Sequence, residues 1–285
     1  MHIDELNRQR YYASVHYLLP ADESETTRLN SQHRVVTRAF ENKLSLVPME
    51  LQTGYRVLES GAGTGLWALE FSEQNKEEGI VLDMECIDIS DKQFPATHPS
   101  NVHFSVHSVV NLPAEWSGTF SYAHQRLLVG AMNDLRWRKA VSELFRVLSP
   151  GGWVELLEHD EKDSDFGVGP CSKKLESLIL AMYAERGIIS DLGTYLPSIL
   201  AEVGFVDVRR EARQVTIGRS GETGYRSEDW RDLWKGTKVH VLSAGGYGLV
   251  TTEKEYDELL EGSTDEWNNS DKAVSTFYTI LARKP

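Results

Sequence analysis

Three glycines at alternate positions, Gly61, Gly63 and Gly65, follow an apolar run in "VLESGAGTGLW" (57–67), with Glu59 two residues ahead of the first. Glycine lets a backbone turn sharply and lets a ligand come close, so the spacing indicates which ligand. A dinucleotide loop reads GxGxxG and places its third glycine where the helix starts beside the pyrophosphate. That position is Leu66. A carboxylate at Glu59, on the tip of the preceding strand, suits a cationic group such as the ammonium of an amino acid. Asp88 ends the next apolar run, and its oxygens can accept from both hydroxyls of a ribose. The ligand so described has an amino-acid end, a ribose and no diphosphate.

These residues need a scaffold that brings strand tips together, and the pattern predicts one. From Tyr55 short apolar runs alternate with helix-length segments, the signature of a parallel sheet flanked by helices, an α/β doubly wound fold. Strands are expected at 55–60, 82–89, 102–108, 120–125 and 153–158, and a helix opens at 66–74. In "RKAVSELFRVLSPGG" (138–152) Ala140, Val141, Leu144, Val147 and Leu148 share a helical face, and Pro150 with two glycines ends it. The stretch 159–170 is too rich in charge and glycine for core. A helix over 172–187, a helix and sixth strand within 195–212, and a last strand at 275–284 complete the pattern. Residues 1–54 are helical in pattern. Segments 227–242 and 252–267 read as two helices of an insertion over the ligand end of the sheet. The expected divisions are a cap (1–54), a core (55–211), an insertion (212–270) and a final strand (271–285).

An amino-acid end, a ribose and no diphosphate describe S-adenosylmethionine. Four segments in order, "VLESGAGTGLW", "CIDIS", "LFRVLSPGGWVELLE" and "AEVGFVDV", resemble the successive motifs of class I S-adenosylmethionine-dependent methyltransferases. The resemblance implies a Rossmann-like seven-stranded sheet whose last strand is antiparallel and lies between strands five and six. It places the methyl donor, whose product is S-adenosylhomocysteine, on Glu59, Ser60, Gly61, Ala62, Gly63, Gly65, Asp88, Ile89, Ser108, Val109, His124 and Gln125. Ser108 stands where the wider family typically has an aspartate for the adenine amino group, and a hydroxyl accepts that bond more weakly. A narrower resemblance, to LaeA-like fungal methyltransferases, rests on Tyr17, Pro20, Asp22, Glu23, Arg28, Leu29, Gln32 and His33, with "YAHQRLLVGAMND" (122–134) and the closing "ARKP". It implies a small-molecule acceptor among fungal secondary metabolites, methylated on oxygen, nitrogen or sulfur, or a regulator that binds the donor.

Methyl transfer from a sulfonium is an in-line displacement that needs alignment, exclusion of water and, for a protonated acceptor, a base. His124 is the base candidate, because its strand tip faces the methyl group in the resembling enzymes and histidine titrates near neutral pH; it could instead pack on adenine. The acceptor candidates are Tyr11, Tyr12 and His33 from the opening helices, Arg126, His159, and Tyr183, Trp230 and Trp234 as an aromatic lining. Each has a plainer reading: helix packing, pairing of Arg126 with Asp134, a surface-loop histidine, and aromatic core. His103 and His107 share a strand face, with no carboxylate or cysteine completing a metal set.

The whole chain of 285 residues is 40% hydrophobic with a formal net charge of -13, which disfavours nucleic acid and anionic membranes as partners. No apolar stretch approaches the roughly 20 residues that span a bilayer, and the polar start lacks a signal-peptide pattern, so an intracellular, cytoplasmic place is expected. Cys86 and Cys171 are far apart and indicate neither a disulfide framework nor zinc; Cys86, in an apolar run, is expected in the core.

Overall fold

Every apolar run expected to be a strand is one. The computed structural model describes residues 23–222 and 224–285. In chain order these form α1 (Glu23–Ala39), β1 (Arg56–Ser60), α2 (Leu66–Glu77), β2 (Asp83–Asp88), β3 (Val102–Val106), β4 (Phe120–Arg126), α3 (Asp134–Val147), β5 (Leu148–Asp165), α4 (Pro170–Arg186), α5 (Leu192–Val203), β6 (Val206–Gly218), β7 (Gly224–Arg226), α6 (Ser227–Lys235), α7 (Lys238–Ser243), α8 (Glu253–Asn268) and β8 (Val274–Arg283). Tyr11, Tyr12, Tyr17, Pro20 and Asp22 lie outside the described residues.

The strand order is β3-β2-β1-β4-β5-β8-β6-β7. Strands β3, β2, β1, β4 and β5 pair parallel. The last strand lies between β5 and β6, as expected, and runs antiparallel: Gly151 N–H donates to the Lys284 carbonyl at 2.9 Å and Lys284 N–H to the Gly152 carbonyl at 2.8 Å. The sheet has one strand more than seven. The addition is β7, three residues parallel to β6, where a Cβ on Gly224 would stand 2.0 Å from the Thr216 carbonyl oxygen, so only glycine allows the pairing.

The chain divides into two compact units. Among the described residues, one comprises 42–159, 192–212 and 278–285, the other 23–41, 160–191, 213–222 and 224–277. In the first unit α3 buries Trp137, Ala140, Val141, Leu144 and Val147, the expected face, and Asn133 caps its start by accepting from Arg136 N–H at 3.1 Å. Leu148, expected on that face, is the first residue of β5. Val57, Trp67, Phe71, Met84, Cys86, Val102 and Tyr122 form the core beneath the strand tips. The helical reading of 40–54 does not hold. Glu41 and Asn42 take left-handed φ angles of 58° and 60°, which end a helix, and Leu44, Leu46, Val47, Met49 and Leu51 pack as an irregular segment on that core.

In the second unit the expected break after residue 158 does not occur. The chain stays extended to Asp165 because its polar groups find partners: Asp163 N–H donates to Asp160 Oδ1 at 2.9 Å, Thr276 Oγ1 to the Asp163 carbonyl at 2.7 Å, and Lys162 pairs with Asp191 at 2.6 Å. Phe166, Tyr225, Trp230, Trp234 and Trp267 form the core of this unit, with Trp230 and Trp234 edge to face at 5.9 Å. The helix expected over 227–242 breaks into α6 and α7 at Gly236–Thr237, where Thr237 Oγ1 donates back to the Trp234 carbonyl at 2.8 Å.

Candidate functional site

The parallel register places the tips of β1, β2 and β4 side by side, with Glu59 opposite both Cys86 and His124 and Ser60 opposite Ile87 and Gln125. From Ser60 the chain turns through Gly61, Gly63 and Gly65, with φ angles of 71°, 51° and 71°. This is left-handed backbone that side chains resist, and Gly65 in that conformation starts α2. Ala62 N–H donates to the Ile87 carbonyl at 2.9 Å and Gly63 N–H to Asp88 Oδ2 at 2.9 Å, which ties the loop to β2. Protein packing adds its own demand for glycine. A Cβ on Gly61 would stand 2.8 Å from Leu128 Cδ2, and one on Gly65 2.5 Å from Phe104 Cζ.

Gly63 N–H donates to Asp88 Oδ2, the Ile89 and Ser90 N–H groups also reach this carboxylate, and a carboxylate offers about four acceptor positions. Burial raises its pKa, while backbone N–H groups of Gly63, Ile89 and Ser90 pull the other way. Around this tip Ile89 is exposed, Val109 is buried, and Ser108 bridges to Asn111, whose N–H donates to the Ser108 carbonyl at 2.9 Å. Ser60 Oγ donates to the Oε1 of fully buried Gln125 at 3.1 Å.

The geometry gives His124 a different task from that of a base. Its ring is buried, stacks on Trp67 at 3.7 Å and 8°, and holds Glu59 through Nδ1···Oε2 at 2.5 Å. Burial pushes its pKa down to about 3, with Glu155 acting against that and Arg126 with it. Held between Trp67 and Glu59, the ring is placed to orient the Glu59 carboxyl. Burial raises the Glu59 pKa well above the ordinary carboxyl range, while Arg126 opposes and Asp88 adds to it. The charge of Arg126 acts on Glu59 and His124, and Asp134 accepts from Arg138 and Tyr195.

Two acids in "WVELLE" have roles the pattern did not suggest. Glu155 is buried and accepts from Ser45 Oγ at 2.7 Å, Leu46 N–H at 3.1 Å and the Tyr122 hydroxyl at 2.8 Å. Fully buried Glu158 accepts from Leu128 N–H at 2.9 Å and Val129 N–H at 3.0 Å. The available signal was the presence of two acids in a strand read as buried, since a buried carboxylate must find donors.

Of the acceptor candidates, Tyr183, Trp230, Trp234 and His33 belong to the other unit and are buried, with Trp230 and Trp234 packed edge to face. In that unit Arg28 makes a double contact with Glu25, at 2.7 Å to each oxygen, and donates to Gln32 at 3.2 Å, so these opening-segment residues interlock along α1. His103 faces Asp83 at 3.4 Å, and among the described residues no group of three potential ligands holds a metal. His159 is not a surface-loop histidine but a buried one, its pKa pushed down to about 3 by burial. The unfolded chain protonates it near about 6.5, so between these values the unfolded state binds a proton that the folded state does not. Stability therefore falls as pH drops through that window, by at most about 1.4 kcal/mol per unit. His159→Gln is expected to remove that slope. Urea unfolding from pH 8 to 4 checks it, and a wild-type-minus-variant difference that stays constant below pH 6.5 contradicts it.

The sequence pattern of a family described as a methyltransferase domain matches residues 8–210. An N-methyltransferase, sirN, of Leptosphaeria maculans is 30% identical over 211 residues, covering 73% of this chain and 72% of the relative. The protein-methionine methyltransferase laeA of Emericella nidulans is 31% identical over 287 residues, covering 94% and 72%. Among solved structures, phosphoethanolamine N-methyltransferase 2 of Haemonchus contortus, in complex with S-adenosyl-L-methionine, is similar with a TM-score of 0.52 at 17% identity, over 100% of this chain and 60% of that one. At that identity the likeness is one of fold.

Proposed function

Because the chain belongs to the methyltransferase-domain family, we propose that it is an S-adenosylmethionine-dependent methyltransferase acting on a nitrogen, oxygen or sulfur of a small molecule, a fungal secondary metabolite. The observation that carries the donor is the left-handed glycine loop bonded to Asp88 and flanked by Glu59, with no glycine at position 66 for a pyrophosphate. Asp88 would accept from the ribose hydroxyls with the acceptor capacity that its backbone partners leave. Glu59, oriented by His124, would face the ammonium; Ser60, Ala62, Gln125, Ile89, Ser108 and Val109 would bound the remainder.

Once bound, the donor offers a sulfonium methyl to an in-line displacement, leaving S-adenosylhomocysteine. The chain's own part is to align the acceptor and exclude water. With His124 withdrawn into the Glu59 pair, the acceptor best suited to these tips attacks through a lone pair it already has. A neutral nitrogen does, and sirN is named for that chemistry. A second reading, methylation of a protein methionine, is favoured by the likeness to laeA, since a thioether sulfur also needs no base.

Incubating the purified protein with donor labelled on the methyl group and a fungal metabolite extract separates the two readings. Label in the small-molecule fraction is the expected result; label on protein alone overturns it. For the donor itself, Asp88→Ala is expected to weaken binding of S-adenosylhomocysteine by about 1–3 kcal/mol, because both the ribose and Gly63 lose an acceptor. Calorimetry that finds the wild-type affinity removes Asp88 from the site.

A further inference from the structure

We propose that Glu158 is a positioning residue of the donor site, holding the turn at 127–129 so that Leu128 lies against Gly61 and fixes the wall of the glycine loop. The inference rests on the donor reading of the preceding section. It begins with Leu127, whose φ of 59° is left-handed. A branched side chain in that region costs about 1–3 kcal/mol and persists only where its surroundings hold it.

Three hydrogen bonds do so. Leu127 N–H donates to the Leu157 carbonyl at 2.8 Å, and the next two N–H groups, of Leu128 and Val129, each take one oxygen of the Glu158 carboxylate, at 2.9 and 3.0 Å. These are the free donors at the start of the single 3-10 turn Val129–Ala131, so the carboxylate closes it. Glu158 is fully buried. The turn then delivers Leu128, with its Cδ2 2.8 Å from the place a Gly61 Cβ would occupy. A line of contacts thus runs from β5, past the end of β4, to the loop after β1.

Glu158→Gln keeps the size of the side chain but turns one acceptor into an NH2 donor facing an N–H. Titration of S-adenosylhomocysteine into this variant is expected to show affinity at least tenfold weaker than wild type with an unchanged circular dichroism spectrum, a change that mere loss of stability does not produce in the folded fraction. Glu158→Asp, which keeps the charge, is expected to recover part of it. Leu128→Ala leaves the carboxylate cap intact and is expected to weaken donor-product binding in the same direction, and it decides alone if Glu158→Gln does not fold. Wild-type affinity in Leu128→Ala, or in a folded Glu158→Gln, overturns the proposal. If wild-type protein takes up no S-adenosylhomocysteine, the donor reading fails instead, and amide exchange still judges the cap. Faster exchange at Leu128 and Val129 in Glu158→Gln supports it, and equal exchange overturns it.

Discussion

Gly61→Val should lower donor affinity and turnover at least a hundredfold while leaving the sheet folded. Two independent costs fall on that residue. Its φ of 71° lies where a β-branched side chain is strained by about 1–3 kcal/mol, and its Cβ would approach Leu128 Cδ2 to 2.8 Å, adding about 1–3 kcal/mol of overpacking. The cheapest relief is for the loop to leave its left-handed conformation. That breaks the approach of Gly63 N–H to Asp88 and displaces the wall on which the ribose would rest. The harm of such a side chain is not confined to the ligand's space, because Leu128 is a protein neighbour. Binding of S-adenosylhomocysteine and thermal unfolding, measured on the same preparation, check the expectation. Turnover close to wild type would show the loop to be structural only.

Glu155→Ala is expected to have the largest effect on stability. It strips the acceptor from the Ser45 hydroxyl, the Leu46 N–H and the Tyr122 hydroxyl around a carboxylate that is 2% exposed. A buried donor left without a partner costs about 1–3 kcal/mol. Three such donors lose their acceptor here, and because these terms do not add, the expected loss is about 3–5 kcal/mol in all. Against a total stability of about 5–15 kcal/mol this is a large share. Urea unfolding gives the number. A loss under about 1 kcal/mol would mean that Ser45 and Tyr122 re-pair with each other, as their 3.0 Å separation allows.

The features legible in the sequence are those set by short-range pattern. The buried face of α3 follows from residues three and four apart, and the loop at 61–65 from glycine spacing that no other residue type can replace. The likeness to methyltransferases was readable for the same reason, because its motifs are strand tips and turns. What stayed hidden depends on partners distant along the chain. Residues 159–165 look too charged for a sheet, yet Asp163 and Ser164 find Thr276 more than a hundred residues away. His124 has the residue type of a base, but its partners Glu59 and Trp67 lie 65 and 57 positions back (124 − 59 and 124 − 67) and are met only by strand pairing and helix docking. Trp230 and Trp234 show helical spacing, which says that they are buried on one side without saying whether core or ligand covers them.

The antiparallel strand at 274–283 has a consequence for the order in which the molecule is made. It is the neighbour of both β5 and β6 but follows them in the chain, so during translation those two strands wait without their shared partner until residues 274–283 have been made. Nascent chains with unpaired strand edges are prone to associate, and a chaperone's protection would matter most in that interval.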